Sequence, residues 1–152
     1  MIFYGLDGQT VEVRITGYQF SIEKNDNVDD DWLNIYINVK SHVGHWHTVD
    51  PSLTTLEFRE LTEWFYLLSK NEKPEYADMR FVEPNLSFEL LNEYDNEQKM
   101  FRIKFGLESR PLNAKEGEEY FVDFIADNHE LLRIAEALKT ELEKYPEKRL
   151  NA

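Results

Sequence analysis

Apolar and polar residues alternate with a period of two in three separate stretches of this chain, whereas helical spacing occurs in two. Val11, Val13 and Ile15 alternate with Glu12, Arg14 and Thr16. Leu33, Ile35, Ile37 and Val39 alternate with Asn34, Tyr36 and Asn38, and Phe101, Ile103, Phe105 and Leu107 with Arg102 and Lys104. Each stretch reads as a strand with one face turned to a core. Helical spacing is found at Phe58, Leu61, Phe65 and Leu68, widened by Trp64 and Leu67, and again at Leu131, Ile134, Ala135, Leu138 and Leu142. The order is strands, a helix, more strands and a final helix, without the regular strand–helix–strand alternation of a parallel sheet. This predicts an α+β fold with a mostly antiparallel sheet of about six to eight strands, one helix mid-chain and one at the C-terminus.

Local signals place the boundaries. Gly17 interrupts the first alternation, and Tyr18 and Phe20 resume it in the opposite phase, as a β-bulge would require. In the strand Trp32 to Lys40 the non-core face carries Trp32, Asn34, Tyr36, Asn38 and Lys40. A turn at Gly44 leads into a short strand through Trp46 and Val49, which Pro51 is expected to stop. Thr54 and Glu57 have capping-box spacing and Leu53 and Phe58 could form a hydrophobic staple, so the first helix begins there and fades near Lys70 and Asn71. Met79 to Val82, Leu86 to Leu91, Met100 to Glu108 and Tyr120 to Ile125 read as strands, with residues 93–97 as a hairpin-like loop. Asp127 and Glu130 open the closing helix, and Pro146 ends it. With no repeat and no linker, the expectation is one domain over 1–152, compact over about 2–146, with a short C-terminal tail.

Ten Phe, eight Tyr and three Trp in 152 residues exclude a disordered chain and allow one substantial core. The absence of Cys favours a reducing compartment. No signal peptide is read at Met1–Asp7, and no apolar run approaches the roughly 20 residues of a membrane helix. A cytoplasmic location is expected. Charge narrows the partners. Thirty Asp and Glu face 17 Lys and Arg, a formal −13. The excess is spread through the fold, with 13 acids against 6 bases up to residue 76 and 17 against 11 beyond it. Such a field repels nucleic acid and anionic lipid and steers basic proteins inward.

Catalytic signatures are missing: no Cys nucleophile, no G-x-S-x-G, no phosphate-cradling glycine loop and no H-E-x-x-H. No catalytic residue, cofactor or metal ligand is assigned, and the chain is not expected to be an enzyme. His42, His45 and His47 are the best metal candidates, since His45 and His47 share a strand face, but spacing identifies no carboxylate ligand beside them. Asp26, Asp29, Asp30 and Asp31 lack EF-hand spacing. The alternatives are a small-ligand-binding α+β domain, or a hydrolase using paired carboxylates. Two features suit protein binding. One is acidic: Glu57, Glu60 and Glu63 along the first helix, and Glu23, Asp26, Asp29, Asp30 and Asp31 in the segment before Trp32. The other is aromatic, Trp32 and Tyr36 among Asn34 and Asn38, although buried strand faces have the same composition.

Several segments form a familiar series: Ile15–Phe20, Trp32–Ile37, Trp46–Thr54, Glu83–Glu89, Phe105–Pro111 and Phe121–Phe124. In this order the chain resembles the WapI-like immunity proteins of bacteria, from about residue 11 to the final helix. The resemblance implies a cytoplasmic, stoichiometric inhibitor of the C-terminal toxin domain of a wall-associated or contact-delivered toxin, often a nuclease that cleaves tRNA. It implies no contact residues and no metal at the histidines. The prolines of Asp50–Thr54 and Glu83–Asn85 are read as element boundaries, belonging to the fold and not to a site.

Overall fold

A computed structural model describes residues 1–20, 31–92 and 97–147. Eight strands form two four-stranded antiparallel sheets, accompanied by two α-helices. The first sheet is a meander of β1 (Ile2–Tyr4), β2 (Thr10–Tyr18), β3 (Trp32–Ser41) and β4 (Gly44–Thr54). Helix α1 (Thr55–Ser69) follows directly. The second sheet is a meander of β5 (Asp78–Arg80), β6 (Leu86–Leu90), β7 (Gln98–Phe105) and β8 (Tyr120–Asp127), and α2 (Asn128–Glu143) closes the order. The α+β class, the antiparallel pairing and both helix positions agree with the alternation and spacing in the sequence.

The alternating residues become one continuous core. Leu33, Ile35, Ile37 and Val39 are buried from the first sheet, and Phe101, Ile103 and Phe105 from the second. Phe58, Leu61, Trp64, Phe65 and Leu68 on α1 fill the space with Leu131, Ile134 and Leu138 on α2, and the two helices pack on each other. Phe3 on β1 sits at the centre: it is fully buried, and its ring meets those of Phe65, Phe88, Phe101 and Phe124 at centroid distances of 5.8–6.3 Å. Truncating such a ring typically costs about 3–5 kcal/mol.

The predicted bulge is present, as the β2–β3 register shifts between Ile15 and Gly17. The Ile15 amide donates to Glu141 Oε1 (2.9 Å), so a buried carboxylate from the last helix caps this part of the strand. Three expectations need correction. Pro51 does not end β4, which runs on to Thr54. Pro51 pairs with Asn34 where the β3–β4 register slips, on the edge strand of its sheet, and at a bulge on an edge a missing N–H breaks no ladder. Strand β7 stops at Phe105, before Glu108, because Gly106 donates instead to the Asn85 carbonyl (2.8 Å) and the chain enters a short 3-10 turn, Leu107–Ser109. Leu107 consequently faces outward, at 46% exposure. Near the N-terminus β1 is an unforeseen strand, too short to show a period.

Candidate functional site

One depression lies where β4 meets the segments leading into β6 and out of β7. It is an open cleft of about 400 Å3 lined by Gln19, Phe20, Trp32, Asp50, Pro51, Glu83, Asn85 and Glu108. Local chemistry assembles it. The bulge at Pro51 turns β4 beside Trp32 at the start of β3. Gly106 allows the approach from the other side: a Cβ there would lie 2.5 Å from the Pro84 carbonyl oxygen, so only glycine fits. The Trp46 indole N–H donates to the Ser109 carbonyl (2.9 Å) and anchors the turn that carries Glu108.

Asn85 is the pivot of the cleft. Its side chain is 3% exposed, and its amide nitrogen donates to Asp50 Oδ2 (2.9 Å) and Glu108 Oε2 (3.2 Å). One neutral amide thus serves two carboxylates, and among the described residues neither carboxylate has an ion pair. Burial pushes the Asp50 carboxyl above its ordinary range, and the neighbouring Glu108 pushes it the same way, against the opposing hydrogen bond from Asn85. Trp32 and the partly exposed Phe20 add aromatic surface. The arrangement offers negative charge beside flat apolar faces, which suits a cationic group.

A second depression of about 220 Å3 runs between α1 and the segment Pro74–Met79. Trp64, Leu67, Pro74, Tyr76 and Met79 make it mainly apolar, and Glu60, Glu63 and Glu75 rim it. The acidic residues picked out on α1 therefore divide. Glu60 and Glu63 are exposed beside this groove. Glu57 is 8% exposed, and its carboxylate is occupied: Oε1 accepts the Thr54 backbone N–H (3.0 Å) and Oε2 accepts the Val82 N–H (2.9 Å). The capping box, completed by the Glu57 N–H donating to Thr54 Oγ1, draws this residue inward. Asp31 is half-buried and close enough to Tyr18 to help raise its hydroxyl pKa, after burial, which contributes most. Glu23, Asp26, Asp29 and Asp30 lie outside the described residues.

The three histidines do not converge. His42 Nε2 lies 3.5 Å from Asp7, His45 Nε2 lies 2.8 Å from Asn38 Oδ1, and the His47 ring leans toward Tyr36. Among the described residues no three His, Cys, Asp or Glu side chains are grouped to hold a metal. Tyr36 is half-buried on the non-core face of β3, with the Arg14 guanidinium 4.4 Å from its ring centre. Among the described residues no helix is long and apolar enough to cross a membrane.

The cleft itself was not foreseen. Asp50, Glu83, Asn85 and Glu108 all lie in segments that carry the resemblance; the sequence reads the first three as element boundaries and Glu108 as the end of a strand. The available signal was the recurrence of an acid next to a proline, in Asp50–Pro51 and Glu83–Pro84, within those segments.

The immunity protein WapI-like family matches residues 1–146, almost the entire chain. The chain belongs to that family. No curated protein and no solved structure shows a significant match to it. Membership in an immunity family gives the chain a toxin-neutralising role and implies a protein partner, the toxin, without enzymatic turnover. Three of the segments that carry the resemblance, Trp46–Thr54, Glu83–Glu89 and Phe105–Pro111, meet at the cleft through Asp50, Asn85 and Glu108.

Proposed function

We propose that this chain neutralises its toxin by forming a stoichiometric complex in the cytoplasm of the producing cell, and that the toxin domain carries a basic surface, as a nuclease does. The observation that carries the reading is the match to the immunity family over residues 1–146. A net charge of −13 supports the partner's sign, since opposite fields speed encounter and exclude nucleic acid from the same surface. The contact surface in this reading comprises the cleft carboxylates Asp50, Glu83 and Glu108, the α1 acids Glu60 and Glu63, and Glu23, Asp26, Asp29, Asp30 and Asp31. Glu57 supports that surface from beneath, by fixing the start of α1 against Val82.

The deciding experiment is co-expression with the C-terminal toxin domain encoded beside this gene. Cell survival together with a one-to-one complex on size-exclusion chromatography is the expected result. Cell death despite good expression of both proteins would exclude that pairing. A complex that dissociates steeply as salt rises would support the basic surface, and a salt-independent complex would remove it.

A further inference from the structure

We propose that the groove between α1 and Pro74–Met79 is a socket for one long cationic side chain, lysine or arginine, projecting from the toxin domain. This rests on the reading above that the partner is a toxin with a basic surface. The floor of the groove is apolar, formed by Trp64, Leu67, Pro74 and Met79, and the lip carries Glu60, Glu63 and Glu75. An apolar occupant would strip water from three carboxylates with nothing in return, and an anionic one would be repelled. A lysine or arginine answers both parts, laying its aliphatic stem on the floor and its charge at the rim.

Details of the walls favour the same occupant. The Trp64 indole N–H already donates to the Tyr76 carbonyl (3.0 Å), so the floor asks for no polar partner and is held in shape. Tyr76 is 64% exposed, leaving a ring face available to a cation. Among the described residues Glu60, Glu63 and Glu75 enter no ion pair, so their charge is not already neutralised within the fold. Position strengthens the case. Met79 at the end of the groove is four residues from Glu83 in the cleft, a span of at most about 14 Å. Along the chain the two depressions are thus close neighbours.

The test compares two charge-matched variants in binding to the C-terminal toxin domain encoded beside the gene, measured by biolayer interferometry. The first is Glu60→Gln, Glu63→Gln, Glu75→Gln. The second removes three exposed acids elsewhere: Glu116→Gln, Glu136→Gln, Glu143→Gln. All six side chains are exposed, and thermal melts verify that both variants fold. The socket predicts at least a tenfold loss of affinity for the first variant, mostly through faster dissociation, and less than threefold for the second. Equal losses would reduce the effect to the overall field and overturn the socket, as would no loss in either. Should the unaltered chain not bind the toxin at all, the toxin reading fails, and the socket is judged on a tetra-arginine peptide followed by NMR. Saturable shifts of the Trp64 indole and Tyr76 amide signals, absent from the first variant, would sustain it. Shifts scattered over the surface, or unchanged in that variant, would end it.

Discussion

The outer face of the second sheet and the surface between the cleft and the α1 groove carry similar acids in opposite circumstances. On the sheet, Arg102 forms a two-pronged pair with Asp123 (2.7 and 3.1 Å) and lies 3.8 Å over the Phe121 ring. Lys104 is shared between Glu89 (3.6 Å) and Glu119 (3.2 Å). Around the cleft and groove, Asp50, Glu83, Glu108, Glu60, Glu63 and Glu75 enter no ion pair among the described residues. Cations are spent where neighbouring strands must hold register and are withheld where depressions open. The excess charge of the chain is spread evenly in sequence, and the acids lining these two depressions are among those left without a cation partner. Repulsion left standing in the free protein is relieved when a cation arrives, so the same feature weakens the fold slightly and strengthens association.

Substitutions at four points would break or sharpen this contrast. Glu57→Ala should have the largest effect, about 2–3 kcal/mol of lost stability in urea unfolding, because the Thr54 and Val82 N–H groups lose their acceptor. Glu57→Gln, which keeps one acceptor oxygen and puts an NH2 donor in place of the other, should recover about half of that loss. A loss below about 0.5 kcal/mol for the alanine variant would show that Glu57 belongs with the uncompensated acids after all. Next in size, Arg102→Met should cost about 1 kcal/mol, by removing the paired hydrogen bonds while keeping some of the packing on Phe121.

Asp50→Asn should act in the opposite direction. The folded-state pKa of Asp50 is raised, so its contribution to stability is present in acid and is lost as pH rises through the folded value. The Asn variant should therefore match or exceed the unaltered protein at neutral pH, and its advantage should shrink as pH falls through the carboxylate range. An advantage that grew on acidification would contradict the described cleft. The smallest effect belongs to Glu60→Gln with Glu63→Gln, which should change stability by no more than about 0.5 kcal/mol in thermal unfolding. A larger loss would assign those acids to the fold.

The sequence discloses the fold in proportion to how long its patterns run. Nine residues of alternation reveal β3 and a capping box reveals α1, because both depend on neighbours within a few positions. Three residues cannot show a period, so β1 and the central Phe3 stayed hidden. Pro51 misled because its cost depends on whether the strand is an edge and whether a bulge absorbs it, and both are tertiary facts. Glu57 was claimed by two patterns at once, the capping box and an acidic stripe, and local hydrogen bonding won over helical spacing. The cleft was the least visible feature of all. Asp50, Asn85 and Glu108 come from three segments up to 58 positions apart, each explicable alone as a turn, and only the closeness of Gly106 to Pro84 brings them together.

Phe3 has a consequence for the order in which this protein becomes competent. Its ring is enclosed by side chains from α1, β6, β7 and β8, the last of them Phe124. A nascent chain can pair β1 with β2 early, but it cannot close its centre until β8 has left the ribosome. At about 5–20 residues per second, the stretch from Phe3 to Phe124 alone takes roughly 6–24 s to synthesise. Toxin neutralisation is therefore a property of the closed fold, and a chain still being made does not yet have it.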